Sequence, residues 1–158
     1  MDANTNHGRD GPILRELSRP ECEDVLARNH LGRIAFAFAS RVDIAPIHYV
    51  FSNQWIYYRT SQGSKVSTIA HHHWVAFEID ECESFFDWRS VVVKGSCHVL
   101  DAGTSTNPDP AYFQGIAALR TIMPETLKSS DPVPFRQTVM RIHLDEVTGR
   151  ESRSAGIS

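Results

Sequence analysis

"RSVVVKGSCHVLD", residues 89–101, is the stretch on which the fold turns. Val91, Val92 and Val93 form the β-branched run of a strand, and apolar residues resume after Gly95 with Cys97, Val99 and Leu100. An isolated glycine inside a strand marks a bend or a close backbone approach, as at the corners of a barrel. Working outward, "WVAFEID" (74–80) is a second strand, and "RIAFAFA" (33–39), "IAPIHYVFS" (44–52) and "QWIYYRT" (54–60) are three more. Polar turns are expected at Ser40 to Asp43 and at Ser52-Asn53, and "RQTVMRIHL" (136–144) is the last strand. Pro46 cannot donate to a ladder, so it marks an edge, a bulge or a departure from the neighbouring strand. The first turns are too short for crossover helices, which makes the pairing antiparallel. Six such strands need a second sheet or closure, because free edges invite association. The expected fold is mainly β: a six-stranded antiparallel split barrel with peripheral helices.

Those helices are marked by their caps. Ser18-Arg19-Pro20-Glu21 is a capping box, so a helix is expected over about Arg19 to Arg28, with Cys22, Val25 and Leu26 on one face and Leu17 as its staple. Asp109-Pro110 is an N-cap followed by proline at the first helical position, opening a helix through "PAYFQGIAALRTIM" (110–123) that stops before Pro124. A shorter helix is expected to start near Ser64-Lys65.

At 158 residues the chain has the length of one domain and buries roughly 70% of its unfolded surface. The expected division is a mobile leader over 1–16, one domain over 17–150 and a tail over 151–158. Hydrophobic residues at 41% and charged residues at 22% exclude a disordered or fibrous chain. A net charge of −3 provides no general field for nucleic acid, and base stacking on Trp55, Tyr57 and Tyr58 would lack a backbone-tracking groove. Cys22, Cys82 and Cys97 are isolated thiols read as packing residues of a reducing compartment. With no apolar run of membrane length and no signal-peptide pattern, the expectation is a cytoplasmic protein without a membrane partner.

Residues 59–73, "RTSQGSKVSTIAHHH", hold two candidate sites. In the first half, Arg59, Thr60, Ser61, Ser64 and Lys65 surround a strand-to-helix turn, where free amides, hydroxyls and a cation suit a phosphate. A turn that merely caps its own helix is the competing reading. The second half, His71-His72-His73, is a poor metal site because adjacent side chains diverge, and it is read as a helix end with no metal. Asp80, Glu81, Glu83 and Asp87 are read as a wet loop between strands.

The order "LGRIAFA", "APIHYVF", "WIYYRTSQGSKVSTI", "VAFEID" and "WRSVVVKGSCHVL" resembles the FMN-binding split-barrel family of pyridoxamine 5'-phosphate oxidase, in particular its nitroimidazole-resistance-like branch. The resemblance covers residues 17–101 well and the last third loosely. It implies that Thr60, Ser61, Ser64 and Lys65 hold a flavin phosphate and that the strand of Pro46, Ile47, His48 and Tyr49 lays its backbone along the isoalloxazine ring. It also implies a homodimer with the cofactor at the subunit interface, where Trp88, Arg89 and Ser90 reach the neighbouring chain's cofactor. On residue type alone, His48 and Tyr49 read first as satisfied barrel residues, Trp55 and Trp88 as packing, and Trp74 as core or dimer surface.

Two departures qualify the match. The family's Arg-Lys pair is replaced by Ser64-Lys65, for which Arg59 could compensate, and the oxidase's C-terminal substrate segment has no counterpart in "RIHLDEVTGRES" (141–152). The expected function is therefore an FMN-dependent oxidoreductase passing reducing equivalents to a small organic acceptor, and not a true pyridoxamine phosphate oxidase. His48 is its candidate catalytic group. A deazaflavin-dependent reductase and a non-catalytic flavin or haem carrier or sensor are the alternatives.

Overall fold

The structure, a computed structural model, describes residues 11–63 and 74–156. In chain order the elements are β1 (Ile13–Glu16), α1 (Arg19–Arg28), β2 (Leu31–Phe38), β3 (Arg41–Ser52), β4 (Trp55–Thr60), β5 (Trp74–Ser84), β6 (Asp87–Leu100), α2 (Pro110–Leu119), β7 (Thr138–His143) and β8 (Glu146–Arg153). The short helix expected after Ser64, and the three histidines after it, lie outside the described residues.

Six strands close a ring, β2-β3-β4-β7-β6-β5 and back to β2, with every pairing antiparallel. These are the six strands expected from the sequence. β8 and β1 are added outside the ring, on the edge of β6 that β7 leaves open. β6 makes this possible by changing partners along its length: Trp88 to Lys94 pair with β8, and Cys97 to Leu100 pair with β7. Gly95 sits at the changeover. A Cβ there would stand 1.8 Å from the His143 carbonyl oxygen, so only glycine lets the β7-to-β8 turn cross the strand. The Asp145 carboxylate pins the crossing by accepting the Ser96 amide at 2.9 Å.

Inside the ring, Tyr49, Phe77, Ile56, Met140 and Ile142 are fully buried, and the Tyr49 and Phe77 rings meet edge to face at 4.8 Å. Burial of each such side chain stabilises by about 1.5–3 kcal/mol. α1 plugs one end of the barrel with Cys22, Val25 and Leu26. Its expected capping box is present: the Ser18 hydroxyl accepts the Glu21 amide, and the Glu21 carboxylate accepts the Ser18 amide at 2.7 Å. α2 covers the outer wall made by β3, β4 and β7, where Ile116, Ala118 and Leu119 pack on Val50, Tyr57, Leu100 and Val139. Gly115 allows this approach, since a Cβ would lie 3.0 Å from the Tyr57 ring.

Several boundaries differ from expectation. Ile13–Glu16, within the expected leader, forms β1, and residues 151–153 of the expected tail belong to β8. Both are held by charge rather than apolar pattern, because the buried Glu151 carboxylate pairs with Arg15, Arg89 and Arg153. The β2–β3 turn is Ala39-Ser40 rather than Ser40 to Asp43, and the β3–β4 turn is Asn53-Gln54, with Ala39, Asn53 and Gln54 all at positive φ. Asp80 to Ser84 lie in β5 and not in a loop, leaving Phe85-Phe86 as the turn. α2 ends at Leu119 and continues to Met123 only as hydrogen-bonded turns.

Candidate functional site

β3 and β4 are neighbours over only part of their length. Their pairing runs from Ser52–Trp55 to Tyr49–Tyr58 and stops there. Beyond that point β4 turns its last residues, Arg59 and Thr60, onto β7. The β3 stretch from Arg41 to His48 keeps β2 on one side and has no partner strand on the other among the described residues. The barrel is thus split between the free edge of β3, which includes Pro46, Ile47 and His48, and the end of β4, which leads to Thr60 and Ser61. Proline fits such an edge, where its missing N–H disturbs no ladder.

Pleat alternation separates the β3 candidates. Pro46 and His48 face outward and are exposed, whereas Ile47 is half-buried and Tyr49 is fully buried. The Tyr49 hydroxyl donates to the Leu26 carbonyl at 2.8 Å, and burial drives its ionisation above the ordinary tyrosine range. Its side chain therefore clamps α1 to the barrel and cannot face a ligand in the split.

Across the opening, Thr60 is half-buried and Ser61 exposed, and Ser64 and Lys65 lie outside the described residues. Arg59 is not available as the substitute cation. Its guanidinium is buried and donates to both Asp131 oxygens, at 3.2 and 2.5 Å, to the Arg136 carbonyl at 2.7 Å and to the Val133 carbonyl at 3.0 Å. Asp131 also accepts the Leu127 and Val133 amides at 2.9 and 3.0 Å. These bonds, the Arg59 guanidinium first, hold the Asp131 carboxyl down at about 2. The pair fastens the segment between α2 and β7 to the end of β4, beside Thr60.

Trp88, Arg89 and Ser90 are not brought to this split within one chain, because β2 and β5 intervene between β3 and β6. Alternation divides them as well. Arg89 turns toward Glu151, donating at 2.7 Å, and lines a polar cleft of about 590 Å³ with Arg28, Glu81, Cys82 and Arg153. Ser90 lies instead in a groove of about 330 Å³ with Trp88, Asp80, Val92, Thr148 and Arg150. Asp80, Ser90, Arg150 and Glu16 are successive register partners across β5, β6, β8 and β1. The Arg150 guanidinium makes no hydrogen bond or ion pair among the described residues. Glu78 shares a side-chain hydrogen bond with Asp80, which pushes the Glu78 carboxyl above the usual carboxylate range and so favours its protonated form. Arg150 and Thr148 on β8 and Asp80 on β5 line this groove, which the sequence does not announce because β8 carries no apolar alternation.

The same outer wall, formed by β3, β2, β5, β6 and β8, is covered by no helix among the described residues. It exposes Leu31 (56%), Ile44 (63%) and Trp74 (54%). No helix among the described residues is long and apolar enough to cross a membrane.

The family model for pyridoxamine 5'-phosphate oxidase matches residues 18–151. An uncharacterised protein of Rhizobium meliloti (strain 1021) is 34% identical over 146 residues, covering 87% of this chain and 95% of that protein. The crystal structure of a FAD-binding protein from Mesorhizobium loti superposes with a TM-score of 0.72 at 25% identity, over 91% of this chain and 100% of that one. The FAD-binding protein of Mycobacterium smegmatis shares the fold at a TM-score of 0.60 and 24% identity, over 89% of this chain and 100% of that one.

Proposed function

This chain belongs to the pyridoxamine 5'-phosphate oxidase family, and from that premise we propose that it binds a flavin nucleotide in the split between β3 and β4. The observation that carries the reading is the unpaired edge of β3 at Pro46 to His48, facing a strand end that leads straight into Thr60, Ser61, Ser64 and Lys65. An isoalloxazine ring has polar atoms on one rim and needs a strand edge that is not already laddered. A phosphate at its tail needs hydroxyls and a cation. With Arg59 committed to Asp131, Lys65 is the cation of that segment, and FMN is the simplest nucleotide that fits.

Bound there, a flavin supplies two-electron redox chemistry, and the protein supplies position, shielding and hydrogen bonds. Thr60 and Ser61 would donate hydroxyls to the phosphate. His48, exposed on the free edge, would give or take a proton at its ring as the acceptor is reduced. The acceptor is a small organic molecule. The missing counterpart of the oxidase's substrate segment argues against pyridoxamine phosphate itself.

The bare outer wall would be closed by a second copy. Exposed Leu31, Ile44 and Trp74 are interspersed on it with Arg33 and Glu78, register partners of opposite charge that suit a two-fold contact. Such a dimer would carry Trp88 and Ser90 toward the neighbour's split.

The test is the ligand that copurifies, identified by mass and spectrum. Paired visible bands support a flavin, and one near-ultraviolet band would identify a deazaflavin instead. Lys65→Ala should weaken flavin binding about tenfold or more while the apo protein stays folded. Unchanged affinity would remove the phosphate assignment.

A further inference from the structure

A second cleft opens between α2 and the β3–β4 turn, lined by Ser52, Asn53, Trp55, Tyr57, Gln114 and Thr121. Its volume, about 570 Å³, is usual for a small-molecule site. Trp55 and Thr60 stand at opposite ends of the six-residue β4, roughly 17 Å apart, so this cleft is separate from the flavin split. Tyr57 is the residue in it that packing does not explain. Of the three tyrosines buried on β3 and β4, Tyr49 donates its hydroxyl to the Leu26 carbonyl and Tyr58 meets the Cys97 sulfur at 3.5 Å. Tyr57 is 3% exposed, yet its hydroxyl has no hydrogen-bond partner among the described residues. Nor is that hydroxyl sealed in: among the described residues, the enclosed side-chain polar atom without a partner is Nε of Arg141. Buried tyrosine hydroxyls find partners, and the remaining exposure of this one opens into the cleft. The side chains of Ser52, Asn53 and Gln114 and the Trp55 indole N–H are equally without partners among the described residues.

The lining selects a ligand class. None of the described residues that line the cleft carries a charge, so a charged guest would lose hydration and gain no counter-ion. Hydroxyls and carboxamides both donate and accept, which suits a guest whose own groups do both. The apolar part is Trp55 with Ala117 and Ala118 of α2. Trp55 is held in place, with the Arg141 guanidinium 3.6 Å from its ring centre and the His143 ring meeting it edge on at 4.8 Å. A planar aromatic guest gains most between two rings, and that sandwich is missing here. Arg141 already covers the Trp55 ring on one face, and the Tyr57 ring is packed under Gly115, where a Cβ would stand 3.0 Å away. We propose that this cleft binds a neutral sugar ring, with its C–H face against the indole of Trp55 and its hydroxyls on Tyr57, Ser52, Asn53 and Gln114. Such a ring is uncharged, needs one aromatic platform, and carries hydroxyls that donate and accept. A free monosaccharide and the end unit of an oligosaccharide share this chemistry, and the exposed Asn53 and Gln114 at the rim admit either.

The test follows the Trp55 indole N–H signal of the full chain by two-dimensional NMR, assigned through its loss in Trp55→Phe, during titration with D-glucose, D-ribose or cellobiose. At least one of the three should move the signal to saturation. Saturation by glucose or ribose identifies a free monosaccharide as the guest, and saturation by cellobiose alone identifies an oligosaccharide end. Tyr57→Phe should weaken that sugar about fivefold and leave the thermal midpoint unchanged, because the lost hydroxyl has no partner in the described protein. Ala117→Leu, a helix-compatible change at an exposed position, should fill the cleft and abolish the response while the chain stays folded. No saturation by any of the three sugars, undiminished affinity in Tyr57→Phe, or a larger response to nicotinamide as a planar aromatic amide would overturn the sugar site. A lowered midpoint in Tyr57→Phe would overturn it as well, by showing that the hydroxyl serves the fold. Each outcome stands whether or not the split holds a flavin.

Discussion

The two outer walls of this barrel are built from similar strands and finished differently. On the wall of β3, β4 and β7, α2 lies down and completes a second apolar cluster around Tyr57, Leu100 and Val139. On the wall of β3, β2, β5, β6 and β8 nothing of the described chain lies down, and Ile44, Leu31 and Trp74 remain exposed. Each wall carries enough apolar surface to favour a cover. The difference separates the apolar surface that the described chain covers by itself from the surface it leaves exposed. The split between β3 and β4 opens beside the bare wall, so binding and association would draw on one continuous surface.

That contrast can be broken from the covered side first. Arg59→Leu would leave Asp131 uncompensated beneath the segment joining α2 to β7, and it should lower the thermal midpoint more than any truncation on α2. Leu119→Ala should cost about 2–5 kcal/mol of unfolding free energy, measured by chemical denaturation, because Leu119 is 3% exposed and leaves a cavity. Ile44→Ala, on the bare wall, should change the stability of the monomer by no more than about 0.5 kcal/mol. Ile44→Arg should shift sedimentation from dimer to monomer with the monomer still folded; an unchanged dimer would remove this wall as the interface.

Acid sharpens the same comparison at smaller amplitude. The folded Asp131 carboxyl is held down at about 2, so its contribution is complete above the ordinary carboxylate range and is lost as pH falls through that value. The stability gap between wild type and Arg59→Leu should therefore narrow between about pH 4 and pH 2. Urea midpoints across that range provide the check, and a gap that stays constant would show that Arg59 acts by packing alone.

The sequence was most readable where physical demands are local and strong. Each ring strand announces itself by β-branched and aromatic runs, α1 by the Ser18 and Glu21 pair, and the barrel corner by Gly95. It was least readable where long-range charge replaces apolar pattern. The end of β8, residues 151–153, looks like a tail until Glu151 is seen gathering arginines from β1 and β6. Arg59 is a cation near a hydroxyl loop in the sequence, and only its distant partner, Asp131, shows that it is a fastener. Nor does residue type announce pleat direction, which sends the Tyr49 side chain into the core and turns Arg89 toward Glu151.

The partner change along β6 also governs when this protein can fold during synthesis. β6 is translated long before β7 and β8, which must occupy successive parts of one of its edges, and β7 must also meet β4. Until residue 153 has left the ribosome, the nascent chain carries that edge and the inner face of the ring unshielded. Such late, non-local pairing is slow and sticky, so production of this protein in cells should depend more on chaperone supply and on a slow final stretch of translation than its modest size would suggest.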